Sequence, residues 1–142
     1  MCCFDVAKES ERSKTGEETT EETMTETEMK QRTKAFALRV IKLTNSVSTN
    51  FVGRRLGDQL LRAGTSVAAN YRAACRARSK PEFISKLGIA EEEADESALW
   101  IELLIESGIV PQKRLAKLLD EANQLTAIIV TSRKTAGKHR DF

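Results

Sequence analysis

Apolar residues recur at intervals of three and four along four stretches of this chain, and that spacing constrains the fold more than any other feature. At about 100° per residue, such intervals place the apolar side chains on one side of a helix. No stretch shows a convincing strand pattern. Four amphipathic helices joined by short loops predict an all-α fold, namely an antiparallel four-helix bundle.

Turn-forming and capping residues mark the ends of these helices. We predict helices from about residue 30 to 47 and from about residue 52 to 77. The third begins at the sequence SKPE, residues 79–82, which is typical of a capping box with proline in the first turn, and ends at Ser107-Gly108. Pro111 is placed to open the fourth helix. The predicted core stripes are Phe36, Val40, Leu43 and Val47; Leu56, Leu60, Ala63, Val67, Tyr71 and Ala74; Phe83, Leu87, Ala90, Ala94, Ala98, Ile101 and Ile105; and Leu115, Leu118, Ala122, Leu125 and Ile129.

Charge is distributed unevenly between the start of the chain and the remainder. Residues 1–30 contain nine acidic and four basic residues, whereas residues 31–142 contain twelve acidic and nineteen basic ones. The first segment is Glu/Thr-rich and too poor in apolar residues to offset the entropy of ordering it. We therefore predict a disordered acidic tail over 1–30, a bundle over 31–135 and a basic tail over 136–142. Alternatively, the acidic tail is an autoinhibitory arm that competes for the basic surface.

The sequence also bears on the cellular compartment. No apolar run approaches the roughly 18 residues of a membrane span, and the N-terminus lacks the cationic start and apolar region of a secretory signal. We therefore expect a cytoplasmic protein. Three cysteines do not make a disulfide scaffold. Cys75 is expected to be a small core residue, whereas the roles of Cys2 and Cys3 stay open.

No catalytic signature is present. The chain lacks the patterns GxxxxGK[ST] and GxSxG and any Cys–His arrangement. Glu93 and Glu96 are spaced i, i+3, but di-metal bundles use Glu-x-x-His motifs, and the one histidine, His139, lies in the C-terminal tail. We therefore expect a non-enzymatic protein with no catalytic residue, metal or cofactor, and His139 as a solvated residue.

The second predicted helix is basic and the third is acidic. Residues 82–106 contain eight acids and one base, and the two helices should be antiparallel neighbours, so mutual pairing explains many of these charges. Arg78 projects onto the core stripe of the second helix and needs a carboxylate there, because an unpaired buried charge is costly. We predict that Arg78 pairs with Glu93 or Glu96.

The remaining cations of this region suggest a nucleic-acid surface. Arg55, Arg62 and Arg76 lie on or beside the polar side of the second helix, and Lys80 follows in the turn. Together they are candidates for contacts with phosphate groups. The alternative is that most of these charges form paired or solvated faces within the protein.

The third helix carries a second apolar stripe. Ile89, Trp100 and Leu103 lie apart from its core stripe, and a helix with two apolar faces has two surfaces to bury against. We predict that these three residues form a subunit interface, where tryptophan commonly anchors binding. A wide core face within a single bundle is the alternative.

Three sequence motifs resemble a known family. They are QLLR…SVAAN in the second helix, the turn CRARSKPEF, and KLGIAEEEADES…W in the third. Over roughly residues 35–135 the chain resembles the bacterial four-helix bundle family, also called the 23S rRNA intervening-sequence protein or S23 family. The acidic run of residues 91–93 departs from the pattern, because many members carry a lysine in that stretch.

The resemblance implies a cytoplasmic bacterial protein that assembles into a ring-like homo-oligomer, a pentamer, with no established enzymatic activity. The chain is also similar to the accessory protein of diversity-generating retroelements, which binds nucleic acid with its partner reverse transcriptase. We therefore predict a homo-oligomeric binding or scaffold module with RNA or DNA as ligand. The alternative is a protein–protein scaffold that binds no nucleic acid.

Overall fold

The computed structural model describes residues 24–138, which form four α-helices. These are α1 (Glu26–Ser46), α2 (Phe51–Cys75), α3 (Lys80–Glu106) and α4 (Gln112–Lys138). Each helix packs along the next one in the chain, and α1 meets α4 over a shorter stretch. The predicted antiparallel four-helix bundle is confirmed.

The first helix begins earlier than predicted, because its cap lies within the acidic segment. The Thr25 side chain accepts a hydrogen bond from the Glu28 N–H at 3.2 Å, and the Glu28 carboxylate accepts one from the Thr25 N–H at 2.7 Å. Met29 is fully buried and anchors this first turn in the core. Residues 26–30 are therefore helical and not part of a tail, and α4 likewise continues past residue 135. Residues 1–23 of the predicted tail lie outside the described residues.

The third helix begins where predicted, but only half of the expected capping box forms. The Ser79 hydroxyl accepts a hydrogen bond from the Glu82 N–H at 3.2 Å. The Glu82 carboxylate accepts instead from the Arg78 N–H at 2.8 Å. At the other end, Gly108 has a φ of +77°, the left-handed conformation predicted for it.

The predicted core stripes are buried almost throughout. Two residues differ, since Leu56 is half-buried and Leu104 takes the fully buried place predicted for Ile105. The chain reversal after α3 explains the second difference: the Val110 N–H donates to the Leu104 carbonyl at 3.1 Å and brings Val110 into the core. Cys75 is half-buried and packs against the core, close to its predicted role.

The first two helices approach each other closely through glycine. A Cβ atom at Gly64 would lie 2.9 Å from the Val40 side chain, and one at Gly53 would lie 2.9 Å from the Val47 carbonyl oxygen. Real Cβ atoms do not approach this closely, so a side chain at Gly64 would push α1 away from α2.

We expect Gly64→Ala to destabilise the bundle by about 1–3 kcal/mol, the usual cost of overpacking a tight contact. Gly88→Ala is the matched control, because a Cβ atom there meets only the Arg133 Cδ at 3.9 Å. Since glycine weakens a helix interior, this control should gain about 0.5–1 kcal/mol. Urea denaturation followed by circular dichroism measures both. A Gly64→Ala variant as stable as Gly88→Ala would contradict the close approach.

Candidate nucleic-acid interface

Ion pairs join α2 to α3 as predicted, but the arginine that forms them is Arg62 and not Arg78. Its guanidinium donates to Glu96 Oε1 at 2.7 Å and lies 3.7 Å from Glu93 Oε1. The Trp100 indole N–H donates to the same Glu96 oxygen at 3.2 Å. Arg62 therefore joins α2 to α3 through two carboxylates, but its side chain is 56% exposed, and its contact with phosphate stays a prediction.

Arg78 forms no ion pair with Glu93 or Glu96 within residues 24–138, so the predicted pairing is wrong. The side chain of Arg78 is exposed. The helical stripe on which it was projected ends early, because α2 stops at Cys75 and Arg76 forms its C-terminal cap. Beyond that cap the backbone turns, so helical periodicity no longer describes the direction of the Arg78 side chain.

Two further ion pairs connect α4 to its neighbours. Arg133 donates to Glu91 at 2.6 Å, joining α4 to α3, and Arg32 donates to Glu121 at 2.6 Å, joining α1 to α4. Each of the four side chains is partly buried. The acidic run of α3 is thus partly neutralised by arginines of both flanking helices.

One end of the bundle carries a cationic concavity. Two adjoining grooves, with volumes of about 450 and 660 Å³, run along the α1–α2 and α2–α3 boundaries and share Ala69, Arg72 and Arg76. Ala68, Ala69 and Ala73 also line them, and these small side chains leave room for a ligand. We call this surface the basic groove, after its six cations: Lys30, Lys34, Arg72, Arg76, Arg78 and Lys86.

Negative charge is sparse at this surface. Glu82 is the one carboxylate among the residues that line the two grooves. The Lys30 Nζ atom forms an ion pair with Glu26 Oε1, one turn earlier in α1, at 2.5 Å. Within residues 24–138, the side chains of Lys34, Arg72 and Arg76 form no ion pair, and all three are exposed. The basic groove is therefore a region of positive potential open to an anionic ligand.

The cations predicted from the sequence do not form one surface. Arg76 lies in the basic groove, and Lys80 is half-buried at the start of α3. The guanidinium of Arg55 lies over the Phe51 ring, with its Cζ atom 5.7 Å from the ring centroid. At 1.5 Å per residue, Arg55 is about 30 Å from Arg76 along α2.

Five cations of the groove were not among the predicted phosphate contacts: Lys30, Lys34, Arg72, Arg78 and Lys86. The four-residue spacing of Arg72 and Arg76 was the signal that could have found the centre of the groove. Lys30 and Lys34 lay at the predicted tail boundary, so the contribution of α1 was not apparent. Lys86 joins them only because α3 folds back against α2.

The outer side of α3 exposes apolar side chains. Ile89 is 36%, Leu99 47% and Leu103 37% exposed, whereas Trp100 is half-buried against the core. Of the predicted interface, Ile89 and Leu103 are thus available for a contact and Trp100 is used largely within the bundle. A second exposed apolar group lies on α1 and α2, comprising Leu38, Ile41 and Leu61.

Residues 24–138 contain neither a metal-binding cluster nor a membrane-spanning helix. Within that part of the chain, no three His, Cys, Asp or Glu side chains come together as a metal site. None of its helices is both long and apolar enough to span a membrane. His139, Cys2 and Cys3 lie outside the described residues.

An antiparallel four-helix bundle with a basic groove at one end is the class of protein defined by these features. Residues 25–131 match the family described as 23S rRNA-intervening sequence protein, and the chain belongs to that family. This confirms the resemblance noted in its sequence motifs.

A solved structure supports the same assignment. It is a protein of unknown function from the S23 ribosomal protein family of Bacteroides thetaiotaomicron VPI-5482. It is 30% identical to this chain, with a TM-score of 0.71, and the match covers 77% of this chain and 97% of that one. Comparison with curated proteins gave no significant match.

Glu93, in the contact between α2 and α3, is an acid whose pKa is shifted from its ordinary value. Its Oε2 atom is buried and accepts no hydrogen bond within residues 24–138. Burial raises the pKa of Glu93 above its ordinary value of 4.5, against the attraction of Arg62, and the carboxylates of Glu96 and Glu92 act in the same direction as burial. The folded state therefore holds this proton more tightly than the unfolded state does. The stabilising contribution of Glu93 is present at low pH and is lost as the pH rises through its folded pKa.

We expect Glu93→Gln to remove this pH dependence. The free energy of unfolding of the variant, relative to that of the parent, should increase as the pH rises from about 4 to 7, so the variant becomes relatively more stable. Urea denaturation at several pH values measures this difference. Glu102→Gln, at an exposed position of α3, reports the general effect of removing a surface carboxylate. A trend of the same size in both variants would contradict the assignment to Glu93.

Proposed function

We propose that the chain is a non-enzymatic, cytoplasmic bundle that binds the phosphate backbone of RNA or DNA in its basic groove. The observation that carries this proposal is the convergence of six cations from α1, α2, the following turn and α3 on two adjoining grooves. Clustered lysine and arginine on one face is the electrostatic footprint of a nucleic-acid-binding protein.

The distribution of ion pairs supports this use of the groove. Interhelical pairing occupies Arg32, Arg62 and Arg133, none of which is among the lining residues of the groove. Arg72 and Arg76, at the centre of the groove, are exposed and make no ion pair within the described residues. These two arginines are thus not used in the packing of the fold itself.

The width of the groove suits a polyanion. Neighbouring helices lie about 8–10 Å apart, so cations on α1, α2 and α3 span roughly 20 Å and can contact several phosphates. The lining residues include no aromatic side chain on which a base could stack. Binding is therefore proposed to depend on the backbone and on salt concentration, with no base-specific readout.

Homo-oligomerisation, as the family resemblance implies, would multiply this weak contact. Repeated grooves on one assembly raise the effective concentration of each groove for the same nucleic acid. The exposed apolar side chains of α3, Ile89, Leu99 and Leu103, are a surface that a second copy can cover. These same side chains also favour the second candidate function, a protein–protein scaffold without nucleic-acid binding.

We expect the double variant Arg72→Ala, Arg76→Ala to weaken binding of labelled RNA and DNA. Loss of two phosphate contacts should reduce the slope of log affinity against log salt by about 2. Fluorescence anisotropy between about 50 and 200 mM salt covers the range in which phosphate-driven binding falls steeply.

The matched control for that experiment is Arg54→Ala, Arg55→Ala. It removes the same charge from the same helix at the end remote from the groove, and both residues are exposed. The control should retain most of the affinity. Equal losses in the two variants would contradict binding in the groove, and an absence of binding at low salt would leave the protein–protein scaffold as the function.

We expect Leu103→Glu to reduce the size of the assembly, because it places a charge in the exposed apolar surface of α3. Thr131→Glu, on an exposed part of α4, adds the same charge elsewhere and should leave the assembly intact. Analytical ultracentrifugation measures size, and circular dichroism verifies that both variants stay helical. A monomeric parent, or an unchanged Leu103→Glu assembly, would contradict this interface.

A further inference from the structure

The chain enters α1 at the edge of the basic groove. Met24 packs against the core, and Thr25 caps the helix. Thr27, in the first turn, lines the groove beside Lys30. Whatever precedes residue 24 therefore starts at the rim of the cationic surface.

The segment that precedes this point is acidic. Residues 1–23 contain seven acids and three bases. Four of the acids, Glu17, Glu18, Glu21 and Glu22, lie within seven residues of Met24. Six or seven extended residues reach about 20–25 Å, which covers the two helix spacings, together about 20 Å, between α1 and α3. Glu17 and Glu18 can therefore reach every cation of the groove, including Lys86, whereas Glu21 and Glu22, three and two residues from Met24, reach about 7–11 Å and so the cations nearest the start of α1.

The covalent connection makes this contact effective. A segment tethered by a few residues is present near its target at an effective concentration in the millimolar range. Carboxylates also form charge-assisted hydrogen bonds with arginine, often through two parallel bonds. Contacts that are weak one by one can therefore be well populated when several act within one chain.

We propose that residues 17–22 bind the basic groove of their own chain and compete with nucleic acid for it. The competition rests on the proposed function, whereas the contact between acidic segment and groove does not. The segment lowers the affinity of the groove for any anion that offers few phosphates. A long polyanion with many phosphates displaces it, so the segment selects for extended nucleic-acid backbones.

Neutralising the segment in the full-length chain tests the competition. The variant Glu17→Gln, Glu18→Gln, Glu21→Gln, Glu22→Gln should bind labelled RNA or DNA at least about fivefold more tightly at low salt, with a smaller gain at 200 mM, where screening weakens the contact. The control Asp58→Asn, Asp95→Asn, Glu102→Gln, Glu106→Gln removes the same charge from exposed positions outside the groove. It should change affinity less than about twofold.

Zero-length carbodiimide cross-linking tests the contact without nucleic acid. In the monomeric fraction, mass spectrometry should find amide links from Glu17 or Glu18 to Lys86, and a long polyphosphate should suppress them. Lys113 and Lys117, at the start of α4 and the opposite end of the bundle, are the comparison. Links to Lys86 no more frequent than links to these two lysines would overturn the proposal.

The two experiments separate this proposal from the proposed function. Links to Lys86 with no nucleic-acid binding by any variant would retain the contact and refute the nucleic-acid function. Nucleic-acid binding that is unchanged by the four Glu→Gln substitutions would refute the competition and retain the groove as the binding site.

Discussion

The close packing of α2 between α1 and α3 is the constraint on which the rest of the structure depends. Gly64 allows α1 to approach until Val40 lies against the α2 backbone. On the other side, Arg62 holds α3 through Glu93 and Glu96. With both neighbours held, cations from three successive helices meet at one end of the bundle.

The fold separates two uses of charge. In the middle of the bundle, arginine and glutamate join neighbouring helices, and their partly buried pairs help to define the register. Exposed ion pairs contribute little to stability, about 0–1 kcal/mol, so partner choice is their larger effect. At the groove, arginines and lysines outnumber nearby carboxylates, and the positive charge there faces outward. The proposed function and the proposed acidic competitor both follow from this imbalance.

Much of the bundle was predictable because helix formation and capping are local. Ser79, Pro81 and Gly108 act within a few residues of themselves, and the structure places each of them at a helix end as expected. The first helix was predicted too short because its cap, Thr25, lies inside a segment whose composition indicated disorder. A capping box at Thr25 and Glu28 was nevertheless present in the sequence and could have extended the prediction.

The candidate site was less predictable, because it depends on positions that are distant in the chain. Periodicity placed Arg78 on the core stripe of α2, but α2 ends at Cys75 and the side chain turns outward. Likewise, the sequence predicted Arg62 as a surface cation on the polar side of α2. The register of α2 against α3 places it beside Glu96.

The sequence by itself determined the four helices, nearly all of their buried faces and the unequal charge of α2 and α3, because each of these depends on the order of neighbouring residues. Only the tertiary structure decided which cations pair, which converge on the groove and which apolar residues stay exposed. The physical reason is that a salt bridge of 2.7 Å or a groove of a few hundred cubic ångströms depends on helix register and helix ends. A shift of one residue along or around a helix changes both.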